Sequence, residues 1–244
     1  MKIVIILIFL FVLFFVYNTS KFGEQNVNFL DEPMFYIINV PGPMGEERRN
    51  YINNVFSKAN IKYTFYSAYN KNKITTERAE SNSKLKKGQI ALAMTHNDLY
   101  KKLLESNNKY MLIAEDDCTF RSNFKIYLNK VINNLPDNFD IVKIGYISNM
   151  GSGHSYNMED NPLVPYNSNT NIKFNDTLEL PGTECYIVSR KGAKMLLEMN
   201  EPIWMPSDGA MDRNHLNKKI KKSGNIYYIQ PPLAWQGNLK SILN

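Results

Sequence analysis

The feature that most constrains the fold is a regular alternation of short apolar runs with amphipathic stretches from residue 34 onward. The runs 34–40, 109–115 and 139–145 have the length and apolar content of buried strands. The stretches 44–59 and 88–105 carry apolar residues at helical spacing. Strands that alternate with helices form mostly parallel sheets covered by helices. The sequence therefore predicts a single α/β domain with a mostly parallel central sheet.

The remaining segments complete this pattern. Further strands are predicted over 61–66, 184–189 and 225–230, further helices over 123–134, 191–199 and 208–222, and polar loops over 69–87 and 147–177. In such sheets ligands bind at the carboxyl ends of the strands. Candidate functional residues are therefore sought where strands end.

An apolar run precedes this domain. Every residue from Ile3 to Tyr17 is apolar or aromatic, and Lys21 is the next charge. A helix over residues 3–20 would be about 27 Å long, which suits a thin bilayer. No A-x-A-like signal-peptidase cleavage site follows this run. We therefore favour an uncleaved signal anchor over 1–20, a stem over 21–33 and a domain over 34–244. A cleaved signal peptide and a buried helix are the alternatives.

The basic residues around the run indicate its orientation. Lys2 and the α-amino group precede it, which favours an inside N-terminus and a single-pass type II protein. The domain would then be lumenal or exterior, in an ER- or Golgi-like compartment if the source is eukaryotic or viral. The sequons at Asn18 and Asn175 would be accessible there.

Charge and cysteine content exclude some classes of protein. The net charge of +6 suits nucleic acid, anionic membranes or phosphate ligands, but the lysines are scattered. Their densest cluster, over 218–222, is typical of a solvated helix face, so no nucleic-acid partner is predicted. Cys118 and Cys185 cannot form a disulfide framework. Free thiols and a single bridge both remain open, and no zinc cluster is indicated.

The strongest chemical signal is an apolar strand that runs into three carboxylates, Glu115, Asp116 and Asp117. Adjacent carboxylates repel one another unless a cation compensates them. Mg²⁺ and Mn²⁺ are commonly held by one or two carboxylates together with substrate phosphates. The motif therefore predicts a metal–phosphate site, with a solvated acidic turn as the alternative.

Two further stretches carry candidate residues. A helix that begins near Gly88 offers free N–H groups to an anion, and His96 lies about two turns into it. A lone helical histidine is more often structural than catalytic. Glu184 opens a buried strand and Asp208 follows a loop, so either could serve as a general base. Asp208 could instead cap the following helix.

Taken in chain order, these stretches resemble glycosyltransferase family 25, which includes lipopolysaccharide galactosyltransferases and collagen hydroxylysine β-galactosyltransferases. The segments that carry the resemblance are Phe35-Tyr-Ile-Ile-Asn39-Val, Glu47-Arg48-Arg49, Phe65-Tyr-Ser-Ala68, Leu85-Lys-Lys-Gly88-Gln-Ile-Ala-Leu-Ala-Met-Thr95-His96, Glu115-Asp116-Asp117, Phe139-Asp140-Ile-Val-Lys-Ile-Gly145, Gly182-Thr-Glu-Cys-Tyr186-Ile-Val-Ser189-Arg190-Lys-Gly192-Ala193 and Pro206-Ser-Asp208. The family usually has an arginine after the asparagine of the first strand, where Val40-Pro-Gly-Pro stands here.

The resemblance implies a GT-A fold, a UDP-sugar donor carrying galactose or glucose, inversion at the anomeric carbon, and Mn²⁺ or Mg²⁺. Asp117 and Glu115 are then the expected metal ligands. Glu115, Asp116, Arg48, His96 and Asn39 are the expected donor-binding residues. Asp208 is the first choice of base because it matches the family's Pro-x-Asp, and Glu184 is the second. The acceptor could be a glycan, a lipid-linked sugar or a protein.

Two other classes of function remain as alternatives. A catalytically inactive family member could bind glycans or partners, which the altered segment 40–43 favours and the intact acidic motif opposes. A phosphohydrolase or nucleotidyltransferase could use the same acids. That chemistry usually needs further ligands for a second metal, and the sequence offers no convincing set.

Overall fold

The computed structural model describes residues 34–75, 77–81, 83–121, 123–145, 173–176, 182–222 and 224–236. The predicted anchor over 1–20 and stem over 21–33 lie outside these residues, as does most of the predicted loop 147–177. Among the helices in the described ranges, none has the length and apolarity needed to cross a bilayer.

Strands and helices alternate along the described chain. The strands are β1 (Met34–Asn39), β2 (Thr64–Ser67), β3 (Tyr110–Glu115), β4 (Cys118–Phe120), β5 (Ile141–Gly145), β6 (Lys173–Asp176), β7 (Cys185–Ser189), β8 (Ile226–Gln230) and β9 (Ala234–Gln236). The helices are α1 (Pro43–Lys58), α2 (Lys87–Glu105), α3 (Phe124–Asn133), α4 (Arg190–Asn200), α5 (Ser207–Ala210) and α6 (Arg213–Ile220).

The strands of the described residues form one mixed sheet in the order β2-β1-β3-β7-β5-β8-β6. β1 pairs in parallel with β2 and β3, and β5 pairs in parallel with β8. β7 runs antiparallel between β3 and β5. Five of the six strands from β2 to β8 in this order therefore share one direction, which confirms the mostly parallel central sheet. β6 is antiparallel to β8, and β4 pairs with β9 beside β5.

Both faces of the sheet are buried, which explains why its strands are continuous apolar runs. On β3, Met111 and Ile113 join the core on one face, whereas Leu112 and Ala114 join the core on the other. Helices α2 and α4 cover the first face, and α1 and α3 cover the second. The result is a three-layer α/β arrangement in which the strand ends are the open part of the sheet.

Three sequence predictions about secondary structure were wrong in detail. The predicted helix 208–222 is two helices, because Asp212 has an extended backbone and its carboxylate accepts hydrogen bonds from the N–H groups of Asn214 and His215. The capping role considered for Asp208 thus belongs to Asp212. The predicted loop 147–177 contains strand β6, and the short strands β4 and β9 were not predicted.

The two cysteines, Cys118 and Cys185, are both free and buried, so the fold rests on its core without a disulfide.

The carboxyl ends of the parallel strands meet at one edge of the sheet. Asn39, Ser67, Glu115 and Gly145 end β1, β2, β3 and β5 there. Since β7 is antiparallel to β3 and β5, its first residues lie at the same edge. Residue Glu184, which directly precedes β7, is therefore brought beside the acidic motif.

The packing of α4 against the segment before β5 can be tested by a substitution at Gly192, a glycine near the start of α4. A Cβ atom on Gly192 would lie 2.1 Å from the carbonyl oxygen of Asp140, which also accepts a hydrogen bond from the N–H of Ser189. Gly192→Ala should therefore lower the free energy of unfolding by about 1–3 kcal/mol, measured by urea denaturation of the full-length chain. Gly209→Ala is the matched control, because its Cβ would meet nothing closer than 3.5 Å. Equal stability of Gly192→Ala and wild type would contradict the close helix–strand contact.

Candidate active site

A cavity of about 210 Å³ lies at the carboxyl edge of the sheet. It is formed by the end of β1, the segment after β2, the first turns of α2, and the acidic motif. The lining residues are Ile38, Val40, Pro41, Arg48, Ala68, Tyr69, Asn70, Lys71, Asn72, Gly88, Ala91, Leu92, Glu115, Asp116, Asp117 and Gln236.

Asp116 is the buried anchor of this cavity. Its Oδ1 atom accepts a hydrogen bond of 2.8 Å from Nη1 of Arg48, which is also buried. Its Oδ2 atom accepts from Nδ2 of Asn39 at 2.7 Å and from the N–H of Val40 at 3.0 Å. Because both oxygens are used by protein donors, Asp116 positions the motif, and its charge is compensated by a guanidinium.

Asn39 is held from two sides. Its Nδ2 atom also donates to the carbonyl of Gly45 at 2.8 Å, and its Oδ1 atom accepts from Nη2 of Arg49 at 2.8 Å. The guanidinium of Arg49 lies 4.2 Å from the ring centre of Phe65. Asn39 is not among the residues that line the cavity. The structure therefore gives Asn39 a supporting position behind Asp116, and Arg49 is a supporting residue that sequence reasoning missed.

Asp117 presents its carboxylate to the cavity. It is 9% exposed, and its Oδ2 atom lies 3.6 Å from Nη1 of Arg48. Burial, and then the nearby charge of Glu115, raise the pKa of Asp117 to about 7. The lining of the cavity thus concentrates negative potential at Asp117, which a bound cation would relieve.

Glu115 is held between two polar neighbours. Thr183 Oγ1 donates a short hydrogen bond to Oε1 of Glu115, and Nε2 of His96 lies 3.9 Å from the same oxygen. Burial alone would raise the pKa of Glu115, but His96, followed by Thr183, holds it below its ordinary value. A distance of 3.9 Å is too long for a hydrogen bond, so the effect of His96 is electrostatic.

His96 lies inside the protein and does not line the cavity. It is 1% exposed, and its Nδ1 atom is 2.7 Å from the hydroxyl of Tyr186, which is 2.8 Å from the hydroxyl of Tyr100. This buried chain supports Glu115 from behind. Its position favours the structural interpretation of His96 over direct donor contact.

Glu184 is buried close to the acidic motif. Its carbonyl accepts a hydrogen bond of 2.9 Å from the N–H of Glu115. Among the described residues its Oε2 atom has no hydrogen-bond partner. Burial, and then the charge of Glu115, raise the pKa of Glu184 to about 8. Glu184 therefore carries a proton at neutral pH in the absence of a ligand.

Asp208 lies in the first turn of α5, where its Oδ1 atom accepts from the N–H of Gly209 at 2.9 Å. Asp208 and Glu184 come from different segments, yet both act electrostatically on the buried amine of Lys143. Sequence reasoning missed Lys143. In the sequence, Lys143 could have been noticed as the one charged residue within the apolar run that forms β5.

The site thus has two parts. Arg48, Glu115, Asp116 and Asp117 line the cavity, with Asn39 and His96 behind them. Glu184 and Asp208 both act electrostatically on Lys143. The described residues contain no group of three or more His, Cys, Asp or Glu side chains placed to hold a metal. Asp117 and Glu115 both line the cavity, and two carboxylates could hold a hard cation only together with ligands from a phosphate-bearing substrate.

Sequence comparisons with known proteins identify a family. A sequence profile of the family described as glycosyltransferase family 25 (LPS biosynthesis protein) matches residues 33–211. A candidate glycosyltransferase of Haemophilus influenzae is 28% identical over an alignment of 207 residues that covers 78% of this chain. The chain spans 66% of that relative, just under two thirds of its length.

Two solved structures are similar at a low level. One is a glycosyltransferase involved in glycosylation of the major capsid of PBCV-1, with a TM-score of 0.35 and 11% identity over 67% of this chain and 63% of that chain. The other is a candidate glucose-1-phosphate thymidylyltransferase of Bacillus anthracis in complex with sucrose, with a TM-score of 0.36 and 9% identity over 80% and 85%. Both TM-scores are below 0.5, so neither likeness carries weight.

The raised pKa of Asp117 predicts a pH-dependent effect on stability. The pKa rises from 3.8 to about 7 on folding, so the carboxyl group favours the folded state at low pH, and this contribution is lost as pH rises through 7. Asp117→Asn should therefore stabilise the metal-free protein more at pH 8 than at pH 5, by on the order of 2 kcal/mol. Urea denaturation at the two pH values measures the difference. Replacement of the exposed Asp137 by Asn is the control, and a pH-independent effect of Asp117→Asn would contradict the crowding of carboxylates.

Proposed function

The chain belongs to glycosyltransferase family 25, and from this premise we propose that it transfers a sugar from a nucleotide-activated donor to an acceptor hydroxyl. The observation that carries the proposal is the cavity at the carboxyl edge of the sheet, into which Asp117 presents its carboxylate. This edge is where α/β sheets bind nucleotides. A hydroxyl acceptor and a sugar nucleotide are the substrates that the reaction requires.

The lining of the cavity supports a nucleoside diphosphate as the leaving group. Gly88 lies in the first turn of α2, where free N–H groups and the helix dipole favour phosphate, and Lys71 adds a positive charge. Val40, Tyr69 and Leu92 supply apolar and aromatic surface for a base. Uridine as the base, with galactose or glucose as the sugar, follows from the family resemblance.

Asp117 is the proposed ligand for Mn²⁺ or Mg²⁺, with Glu115 beside it. A cation held there would neutralise the charge that grows on the departing diphosphate. Arg48 compensates Asp116, so the site keeps the carboxylate of Asp117 available for the cation while the middle carboxylate of the motif is already paired.

Inversion by direct displacement requires one base that takes the proton of the acceptor hydroxyl. Glu184 has a pKa of about 8 and holds a proton at neutral pH. It cannot accept a second proton until it has lost the first. This argument favours Asp208 as the base and leaves Glu184 as the second candidate. Both carboxyl groups act electrostatically on the amine of Lys143, which supports their assignment to one site.

The acceptor could be a glycan, a lipid-linked sugar or a protein, and the cavity lining does not distinguish them. Attachment to a membrane through residues 3–20, with the domain lumenal or exterior, remains a prediction from the sequence.

An inactive family member that binds glycans or partners is the second candidate function. The observation in its favour is that Pro41 lines the cavity where the family usually has an arginine, and that the nearby Arg48 is engaged by Asp116. A measurement of sugar transfer distinguishes the two candidate functions, because an inactive family member would show none.

The first prediction concerns the donor and the cation. The full-length chain is incubated with Mn²⁺ and each member of a panel of UDP-sugars. We expect it to release UDP from one of these donors, and we expect EDTA to abolish that release. Asp117→Asn should lower the rate by roughly 10²-fold or more, because a ligand of the proposed cation is removed. The exposed Asp137→Asn variant is the control. UDP release that persists in EDTA would contradict the proposed need for a cation. The absence of both UDP release and Mn²⁺-dependent UDP binding would favour the inactive alternative.

The second prediction concerns the base. Asp208→Asn should lower the rate of sugar transfer by roughly 10²–10⁴-fold, while the affinity for UDP and Mn²⁺ stays within about threefold, because the base acts on the acceptor. Glu184→Gln should have the smaller effect at neutral pH, since that carboxyl is already protonated. The reverse ranking of the two variants would assign the base to Glu184.

A further inference from the structure

A lysine is buried in the middle of the sheet. Lys143 lies on the central strand β5 between β7 and β8, where its neighbours in register are Tyr186 and Tyr228. It is only 2% exposed. Burying an ammonium group is costly unless other groups compensate its charge. An apolar residue would satisfy the packing of this strand, so the charge itself requires an explanation.

The amine of Lys143 reaches the segment that precedes β7. Its Nζ atom donates a hydrogen bond of 3.0 Å to the carbonyl of Gly182. Gly182 has φ +93, and a Cβ atom there would lie 2.1 Å from Oε2 of Glu184. The segment is therefore folded tightly against the carboxyl group of Glu184. The next residue, Thr183, donates to Oε1 of Glu115.

Three carboxyl groups from separate segments interact electrostatically with this amine. Glu184 precedes β7, Asp208 lies in α5, and Asp212 caps α6, and each acts electrostatically on Lys143. Asp208 and Glu184 are the two proposed bases. The amine of Lys143 thus interacts both with the two proposed bases and with the segment whose Thr183 binds Glu115 of the acidic motif.

We infer that Lys143 is a positioning residue for sugar transfer, whose ammonium group holds the segment 182–184 in its working position. The inference rests on the proposed function. The positive charge attracts the carboxylate of Asp208, and the hydrogen bond to Gly182 fixes the backbone from which Thr183 reaches Glu115. Lys143 is not among the residues that line the cavity, so its loss should reduce turnover more than donor binding.

The test compares five variants of the full-length chain with wild type. Lys143→Met removes the charge at similar volume, and Lys143→Arg retains it. Because Lys143→Met leaves the buried carboxyl group of Glu184 without the amine and lowers stability, the double variant Lys143→Met with Glu184→Gln removes both of these groups. It is compared with Glu184→Gln alone. The exposed Lys218→Met variant is the control for loss of a lysine. The measurements are kcat and KM for the active UDP-sugar, together with Mn²⁺-dependent UDP binding by calorimetry.

We expect Lys143→Met to lower kcat by roughly 10²-fold with KM and UDP affinity within about threefold of wild type. Lys143→Arg should recover at least about tenfold of this loss. The double variant should fold with a melting temperature near that of Glu184→Gln alone, yet keep a kcat at least about tenfold lower.

Two results would overturn the inference. One is a kcat for Lys143→Met within about threefold of wild type, and the other is equal kcat values for the double variant and Glu184→Gln alone, which would mean that Lys143 only stabilises the fold. A wild-type chain that releases UDP from no sugar nucleotide would instead overturn the proposed function, and the role of Lys143 with it.

Discussion

The ion pair between Arg48 and Asp116 is the interaction on which the rest of the site depends. It joins the first helix of the domain to the end of the third strand, 68 positions apart in the chain. Asn39 and the N–H of Val40 complete the set of donors around the same carboxylate. With the middle carboxylate fixed in this way, Asp117 is directed into the cavity and Glu115 toward Thr183. Loss of either partner would leave a buried charge without compensation.

The sequence predicted the elements that depend on local pattern. Apolar runs and helical spacing located most strands and helices, and the run that ends in three carboxylates located the cavity. The different roles of these carboxylates were not predictable, because they depend on which donors the fold brings to each one. Asp116 faces Arg48, whereas Asp117 faces the cavity, although both are the same residue type at adjacent positions. The antiparallel direction of β7 likewise depends on sheet pairing that no local pattern encodes.

Long-range contacts also explain why the sequence did not reveal the roles of Arg49 and Lys143. Arg49 supports Asn39 through a bond across ten positions, and Lys143 meets Gly182 across 39 positions. In the sequence Lys143 only interrupts an apolar strand, and its hydrogen bond to Gly182 and its electrostatic interactions with Glu184 and Asp208 depend on the fold. The break between α5 and α6 is a similar case, because a capping aspartate is recognised only when the helix start is known.

The protonation of Asp117 connects the site to its surroundings. Since its carboxyl group has a pKa of about 7, a cation that binds there competes with a proton in the neutral range. Cation uptake and proton release would then be linked equilibria, and the acidity of the medium would set the apparent affinity of the proposed cation. The proposed site would hold its cation in neutral solution and lose it progressively in acidic solution.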